Sequence, residues 1–221
     1  MSLQVLGISG SPILRSNTDR AIQEILDRTG LRTEFVKLSE LDISPCRACL
    51  GCVNLNECVL QDDGRELAEK FRDVPAFVLG AFTPYSSLDA RTKIFMERMY
   101  CFRHRTAGNR GKVGAAVITS ACPAEATHLP PAVETATVQI NYWMLEEGME
   151  NLGTIVVRGN VPCIRCGRGD DCPASGIKMI YGPEATVESV GVHAFEDDPA
   201  LLQAAEDIGR KIRRAVLGED A

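Results

Sequence analysis

Short runs of continuous apolar residues alternate along this chain with stretches in which apolar positions recur every three to four residues. The apolar runs are Leu3–Ile8, Ala76–Leu79, Val113–Thr119 and Gly153–Val157, and Thr33–Leu38 (TEFVKL), with three polar residues in six, reads as a further strand. Their lack of polar alternation predicts strands covered on both faces, as in a parallel sheet. Between them lie helical stripes: Ala21, Ile22, Ile25 and Leu26; Leu67 and Phe71; Ala90, Ile94, Phe95 and Met99; and Val133, Ala136, Ile140 and Met144 within a helix from about Pro131 to Glu147. A last helix opens at Asp198-Pro199, carries Leu201, Ala205, Ile208, Ile212 and Val216, and closes at Gly218. Asn17 reads as the N-cap of the first helix, with Asp19 in its first turn and Gly30 at its end. Strands separated by helices give an α/β class, and five of them fit a doubly wound parallel sheet of order 2-1-3-4-5.

Two segments break this rhythm, Pro45–Val59 and residues 159–196, and together they hold seven of the nine cysteines. We read residues 1–221 as one domain carrying both as loop insertions, a size that buries an ample core without disulfides. Met1 leads directly into an apolar strand with no basic leader, and no run approaches the roughly 18 apolar residues of a spanning helix. The expectation is a cytoplasmic protein without a membrane partner. Clustered cysteines in a reducing compartment point to metal or redox chemistry rather than a disulfide framework. A net charge of −6 argues against nucleic-acid binding.

Gly7–Thr18, GISGSPILRSNT, follows the first strand and opens the first helix. A helix N-terminus at the carboxyl edge of a parallel sheet suits a phosphate. The G-x-G-x-x-G spacing of a dinucleotide site is absent. Hydroxyls from Ser9, Ser11, Ser16 and Thr18, an amide from Asn17 and the cation of Arg15 suit a terminal monophosphate, which favours FMN. This segment resembles the phosphate loop of the NADPH-dependent FMN reductase family, which has a flavodoxin-like fold. The resemblance implies that Ser9, Ser11, Ser16, Asn17 and Thr18 hold the FMN phosphate. It also implies that the loop Thr83-Pro84-Tyr85-Ser86-Ser87, followed by Lys93-Ile94-Phe95, contacts the isoalloxazine ring. Ser120-Ala121-Cys122 after the fourth strand is expected to form a third wall of that site.

Cys46-x2-Cys49-x2-Cys52-x5-Cys58 places four thiols within thirteen residues, enough to wrap one compact centre. A 4Fe–4S cluster is the leading reading; tetrahedral zinc, usually held by two separated cysteine pairs, is the alternative, and vestigial thiols a third. The spacing resembles the iron–sulfur flavoproteins, a branch of the same family with a four-cysteine motif after the second strand. Cys163-x2-Cys166-x5-Cys172 repeats part of that spacing with only three cysteines, leaving open a second metal site or buried structural thiols.

Seven cations between Arg91 and Lys112 (Arg91, Lys93, Arg98, Arg103, Arg105, Arg110 and Lys112) form a positive run on an acidic chain. It reads either as a docking face for an acidic carrier or NAD(P)H, or as a solvated helix face or subunit interface. His104, His128 and His193 show no ligand spacing. The combined expectation is electron transfer between a one-electron donor and FMN, with the cofactors supplying the chemistry. The resemblance further implies a homo-oligomer, dimer or tetramer, with ferredoxin as donor and small oxidants as acceptors. A cluster-free NAD(P)H-dependent FMN or quinone reductase, and a non-catalytic redox sensor, are the alternatives.

Overall fold

A computed structural model describes residues 2–219. Five strands, β1 (Val5–Ser9), β2 (Thr33–Lys37), β3 (Ala76–Phe82), β4 (Val113–Ser120) and β5 (Glu150–Arg158), form one sheet of order β2-β1-β3-β4-β5 with every pairing parallel. This is the doubly wound, flavodoxin-like arrangement the apolar runs predict. β3 and β5 extend beyond their apolar runs, because parallel pairing with neighbours carries the ladder through Phe82 and back to Glu150.

Helices cover both faces. On one side α1 (Asn17–Thr29) and α8 (Pro199–Leu217) bury Ile22, Ile25, Leu26, Ile208 and Ile212 against Val5, Val78, Val117 and Ile155. On the other, α2 (Asp63–Asp73), α3 (Ala90–Arg98) and α4 (Ala132–Glu147) enclose Leu6, Phe71, Phe77, Phe95, Ile118, Ile140 and Met144. Close approach of α1 to the sheet depends on small residues: a Cβ at Gly80 would stand 2.5 Å from Ile22 and 2.6 Å from Thr18.

Local signals hold at most helix ends. Asp198 caps α8, Pro199 is its first residue, and Gly30 and Gly218 close α1 and α8 in left-handed conformations. The cap of α1 differs from expectation. Ser16, not Asn17, caps it, accepting from the Asp19 N–H while the Asp19 carboxylate accepts from the Ser16 N–H. The stretch after β5 is less irregular than its sequence suggests. It folds into α5 (Cys163–Cys166), α6 (Gly176–Tyr181) and α7 (Val187–Val190) around a small core of Val161, Ile177 and Ile180. Because every strand is parallel, the loops after all five leave from the same sheet edge. The two cysteine segments follow the two edge strands, β2 and β5.

Candidate functional site

At the carboxyl edge, the β1–α1 loop is built around one buried carboxylate. Asp19 accepts the Ser9 hydroxyl at 2.6 Å, the Ser16 N–H at 3.1 Å and the Lys37 ammonium at 2.6 Å. Lys37 also donates to the Ile13 carbonyl at 2.9 Å, so the last residue of β2 anchors the crest of the loop. Gly10 N–H donates to the Gly80 carbonyl, tying the loop to β3. The Asp19–Lys37 pair escaped the sequence reading. Its one signal was a lysine as the last residue of the second strand.

This frame sorts the five expected phosphate ligands. Ser9 and Thr18 are buried, the first donating to Asp19 and the second sharing a 2.9 Å hydrogen bond with Thr119. Asn17 turns away from the loop, donating to the His193 carbonyl and accepting from the Phe195 N–H and the Arg20 guanidinium. Ser11 and Ser16 accept backbone N–H groups, which leaves each hydroxyl proton for an outside acceptor. They join the first-turn N–H groups of α1, which have no intrahelical partners. The donors suited to a phosphate are therefore Ser11, Ser16 and the helix N-terminus, while Ser9, Asn17 and Thr18 hold the loop in shape.

The β3–α3 loop is strained. Tyr85 and Ser86 adopt left-handed conformations at φ 49° and 59°, and Tyr85 is fully exposed. Such residues cost on the order of 1–3 kcal/mol each and cluster at ligand sites. Ser87 bonds Gln139, and Thr83 donates to the Thr119 carbonyl. Pro84 opens the turn that presents Tyr85. Asp89 caps α3 beneath the loop, accepting from Thr92 and from the Phe82 N–H; burial pushes its carboxyl above the ordinary range. A Cβ at Gly10 would stand 2.1 Å from the Thr92 hydroxyl and under 3 Å from the Asp89 carboxylate, so only glycine lets the two loops meet. After β4, Ser120 is buried and accepts the Cys122 N–H, and Ala121 and Cys122 pack on the small core of the last insertion.

The four clustered cysteines line a single pocket with Arg47, Leu50, Arg98, Tyr100 and Cys101. Cys52 and Cys58 are half-buried; Cys46 and Cys49 are exposed. Burial, and then proximity to Cys58, Cys46 and Cys49, raises the Cys52 thiol. Ala48, Leu50 and Asn56 take left-handed conformations as the backbone coils around the thiols, and the Ala48 N–H donates to Cys46 Sγ at 3.5 Å. Among the described residues no three cysteine, histidine, aspartate or glutamate side chains stand close enough together to hold a metal ion. The thiol set, its shared pocket and its N–H···S contact nevertheless suit an iron–sulfur centre. None of the phosphate-loop or ring-loop residues lines this pocket. It lies by the C-terminal end of α3, whose other end caps on the ring loop; nine residues of helix span about 13 Å.

Cys101 was not anticipated as part of this site. It is buried in the pocket wall, and burial, with Cys58 and Cys52 beside it, pushes its thiol up to about 12. The second cysteine group is looser. Cys163 and Cys166 sit on one helical turn, with Gly176 and Arg168 donating N–H groups to their sulfurs at 3.2 and 3.4 Å. Cys172 lies farther along, its N–H on the Arg168 carbonyl. Of the cationic run, Arg98 and Lys112 are buried, whereas Arg91, Lys93, Arg103, Arg105 and Arg110 are exposed. No helix among the described residues is long and apolar enough to cross a membrane.

The chain shares its architecture with solved structures of low sequence identity. An azoreductase from Bacillus anthracis superposes with TM-score 0.60 at 12% identity, covering 95% of this chain and 100% of that one. A flavodoxin from the domain Archaea gives TM-score 0.53 at 14% identity, covering 97% and 99%. Among curated proteins, an iron-sulfur flavoprotein of Methanocaldococcus jannaschii is 27% identical over 217 residues, 97% of each chain. One of Methanosarcina thermophila is 30% identical over 118 residues, 52% of this chain and 62% of that one. The profile described as NADPH-dependent FMN reductase matches residues 3–147, which takes in the phosphate loop, the cysteine pocket and the ring loop. The chain therefore belongs to the NADPH-dependent FMN reductase family and is a flavin-dependent oxidoreductase.

Proposed function

We propose that this chain is a cytoplasmic electron-transfer oxidoreductase that binds FMN at the β1–α1, β3–α3 and β4–α4 loops and a 4Fe–4S cluster on Cys46, Cys49, Cys52 and Cys58. The observation that carries the reading is the convergence of those four thiols on one pocket of a flavin-reductase fold. When bound, FMN supplies one- or two-electron chemistry and the cluster one-electron chemistry. The chain's own residues position both. Ser11, Ser16 and the N-terminus of α1 receive the phosphate; the strained Tyr85-Ser86 turn and the Ser120-Ala121-Cys122 segment border the ring; the coiled 45–59 backbone turns the Ala48 N–H toward the Cys46 sulfur. Neither site requires a general base.

The two sites stand at opposite ends of α3 in one chain, which supports a homo-oligomer in which the cysteine loop of one subunit approaches the flavin of another. Exposed Leu50, Tyr100, Arg47 and Arg105 around the pocket suit an acidic one-electron donor such as a ferredoxin. Thiols that share a pocket without closing to metal distance favour a second reading, a cluster-free NAD(P)H-dependent reductase. Anaerobic purification with flavin, iron and acid-labile sulfide counts separates the two. About four irons and four sulfides per flavin support the cluster. Zinc without sulfide, or no metal, with NADPH turnover supports the second reading. Well over four irons would extend iron binding to Cys163, Cys166 and Cys172.

A further inference from the structure

The cysteine loop is held by a residue outside it. Arg98, the last residue of α3, is buried with its side chain 1% exposed, yet it reaches both ends of the loop. Its two terminal nitrogens form a fork on the Asp62 carboxylate at 2.7 and 2.8 Å, just after the motif, and one also donates to the Ser44 carbonyl at 2.9 Å, just before it. Asp62 binds the same two ends together by accepting the Ser44 N–H at 3.0 Å. Four bonds thus close a ring across residues 44–62.

The guanidinium does more than pair with Asp62. It lines the thiol pocket and lies beside Cys58. Its Nε–H is buried and has no hydrogen-bond partner. A buried orphan donor on a charged group is costly, and such donors persist where a ligand or function accounts for them. Room for it comes from Gly64, where a Cβ would lie 2.8 Å from Arg98 Nη1 and 2.7 Å from Ile43.

We propose that Arg98 is the positioning residue of the cysteine site, clamping Ser44 and Asp62 so that the 45–59 loop can close around a cluster, and presenting its Nε–H and its charge to the cysteine thiolates. The inference rests on the reading that these cysteines hold a cluster. Hydrogen bonds and positive charge toward the sulfurs stabilise the reduced, more negative state, so the cluster's potential is raised. The substitution Arg98→Lys keeps the charge and loses the fork; Gly64→Ala keeps the arginine and displaces it.

The test compares wild type with Arg98→Lys, Arg98→Met and Gly64→Ala, all purified and reconstituted anaerobically. Trypsin cleavage after exposed Arg47 in the metal-free chains reads the clamp, and should be at least tenfold faster in all three variants. Iron per chain reads closure and should fall in the order wild type, Arg98→Lys, Arg98→Met. The midpoint potential of the loaded fraction reads the contact with sulfur. It should move negative in Arg98→Lys by about tenfold in the one-electron equilibrium, or about 59 mV, a change that loosening of the fold alone would not produce at full iron occupancy. Unchanged cleavage and unchanged potential in Arg98→Lys and Gly64→Ala, both folded by circular dichroism, overturn the proposal. A wild-type chain that takes up no iron or sulfide refutes the cluster reading instead, and the cleavage rates then decide the clamp by themselves.

Discussion

Replacing Asp19 by Asn should expose how the phosphate loop is built. The Asp19 carboxylate holds Ser9 Oγ, Ser16 N–H and Lys37 Nζ, and the ion pair to Lys37 is 2.6 Å long with side chains only 5% and 6% exposed. Asn can keep one acceptor but not the charge, which leaves the Lys37 ammonium buried without a counter-charge, hydrogen-bonded to neutral oxygens such as the Ile13 carbonyl. Removing one member of a buried pair costs about 3–5 kcal/mol, most of it the penalty of the stranded charge. A domain has about 5–15 kcal/mol in total, so Asp19→Asn should fold but melt early. Lys37→Met should cost a similar amount, with the carboxylate now stranded at the mouth of an anion site. Combining the two removes both charges, so the double variant should be at least about 2 kcal/mol more stable than the sum of the singles implies. Urea unfolding of the flavin-free chains at neutral pH, followed by far-UV circular dichroism, measures all three. Flavin-fluorescence titration should place FMN affinity in the order wild type, Asp19→Asn, Lys37→Met, because only the last leaves a bare anion facing the phosphate. Singles within about 0.5 kcal/mol of wild type, or strictly additive costs, would refute the idea that this pair is the loop's foundation.

Gly10→Ala should destabilise by about 1–3 kcal/mol and weaken FMN binding together, since its Cβ would press on Thr92 and Asp89 where the phosphate and ring loops meet; thermal melts with and without FMN check it, and an unperturbed Tm counts against the contact. Lys112 donates to the carbonyls of Arg72 and Val74, and burial lowers its ammonium from 10.5 to about 8. The unfolded chain then binds more protons than the folded one between about pH 8 and 10.5, so wild-type stability should rise through that window relative to Lys112→Met, by up to about 3 kcal/mol. Urea midpoints at about pH 7.5 and 10 test this, and parallel pH dependence in the two chains would contradict it.

What could be read from the chain before folding was what depends on near neighbours. Continuous apolar runs mark the central strands β1, β3 and β4 because burial on both faces leaves no polar side to a strand, and Pro199, Gly30 and Gly218 mark helix ends through backbone preferences alone. The phosphate loop was legible as a place but not as a mechanism. Its serines, Asn17 and Thr18 look interchangeable as donors, and their roles divide only once Asp19, Thr119 and His193 claim some of them from 10, 101 and 176 positions away. Arg98 and Lys112 were illegible for the same reason. Each sits in a run of cations that reads as one solvated face, yet Asp62 draws the first inward from 36 positions away and the Val74 carbonyl the second from 38. A buried charge is specified by its partner, and partners distant in sequence leave no period or spacing to read. The cysteines are the complementary case: their spacing announces a shared centre, while what keeps their loop closed is a guanidinium that no cysteine motif contains.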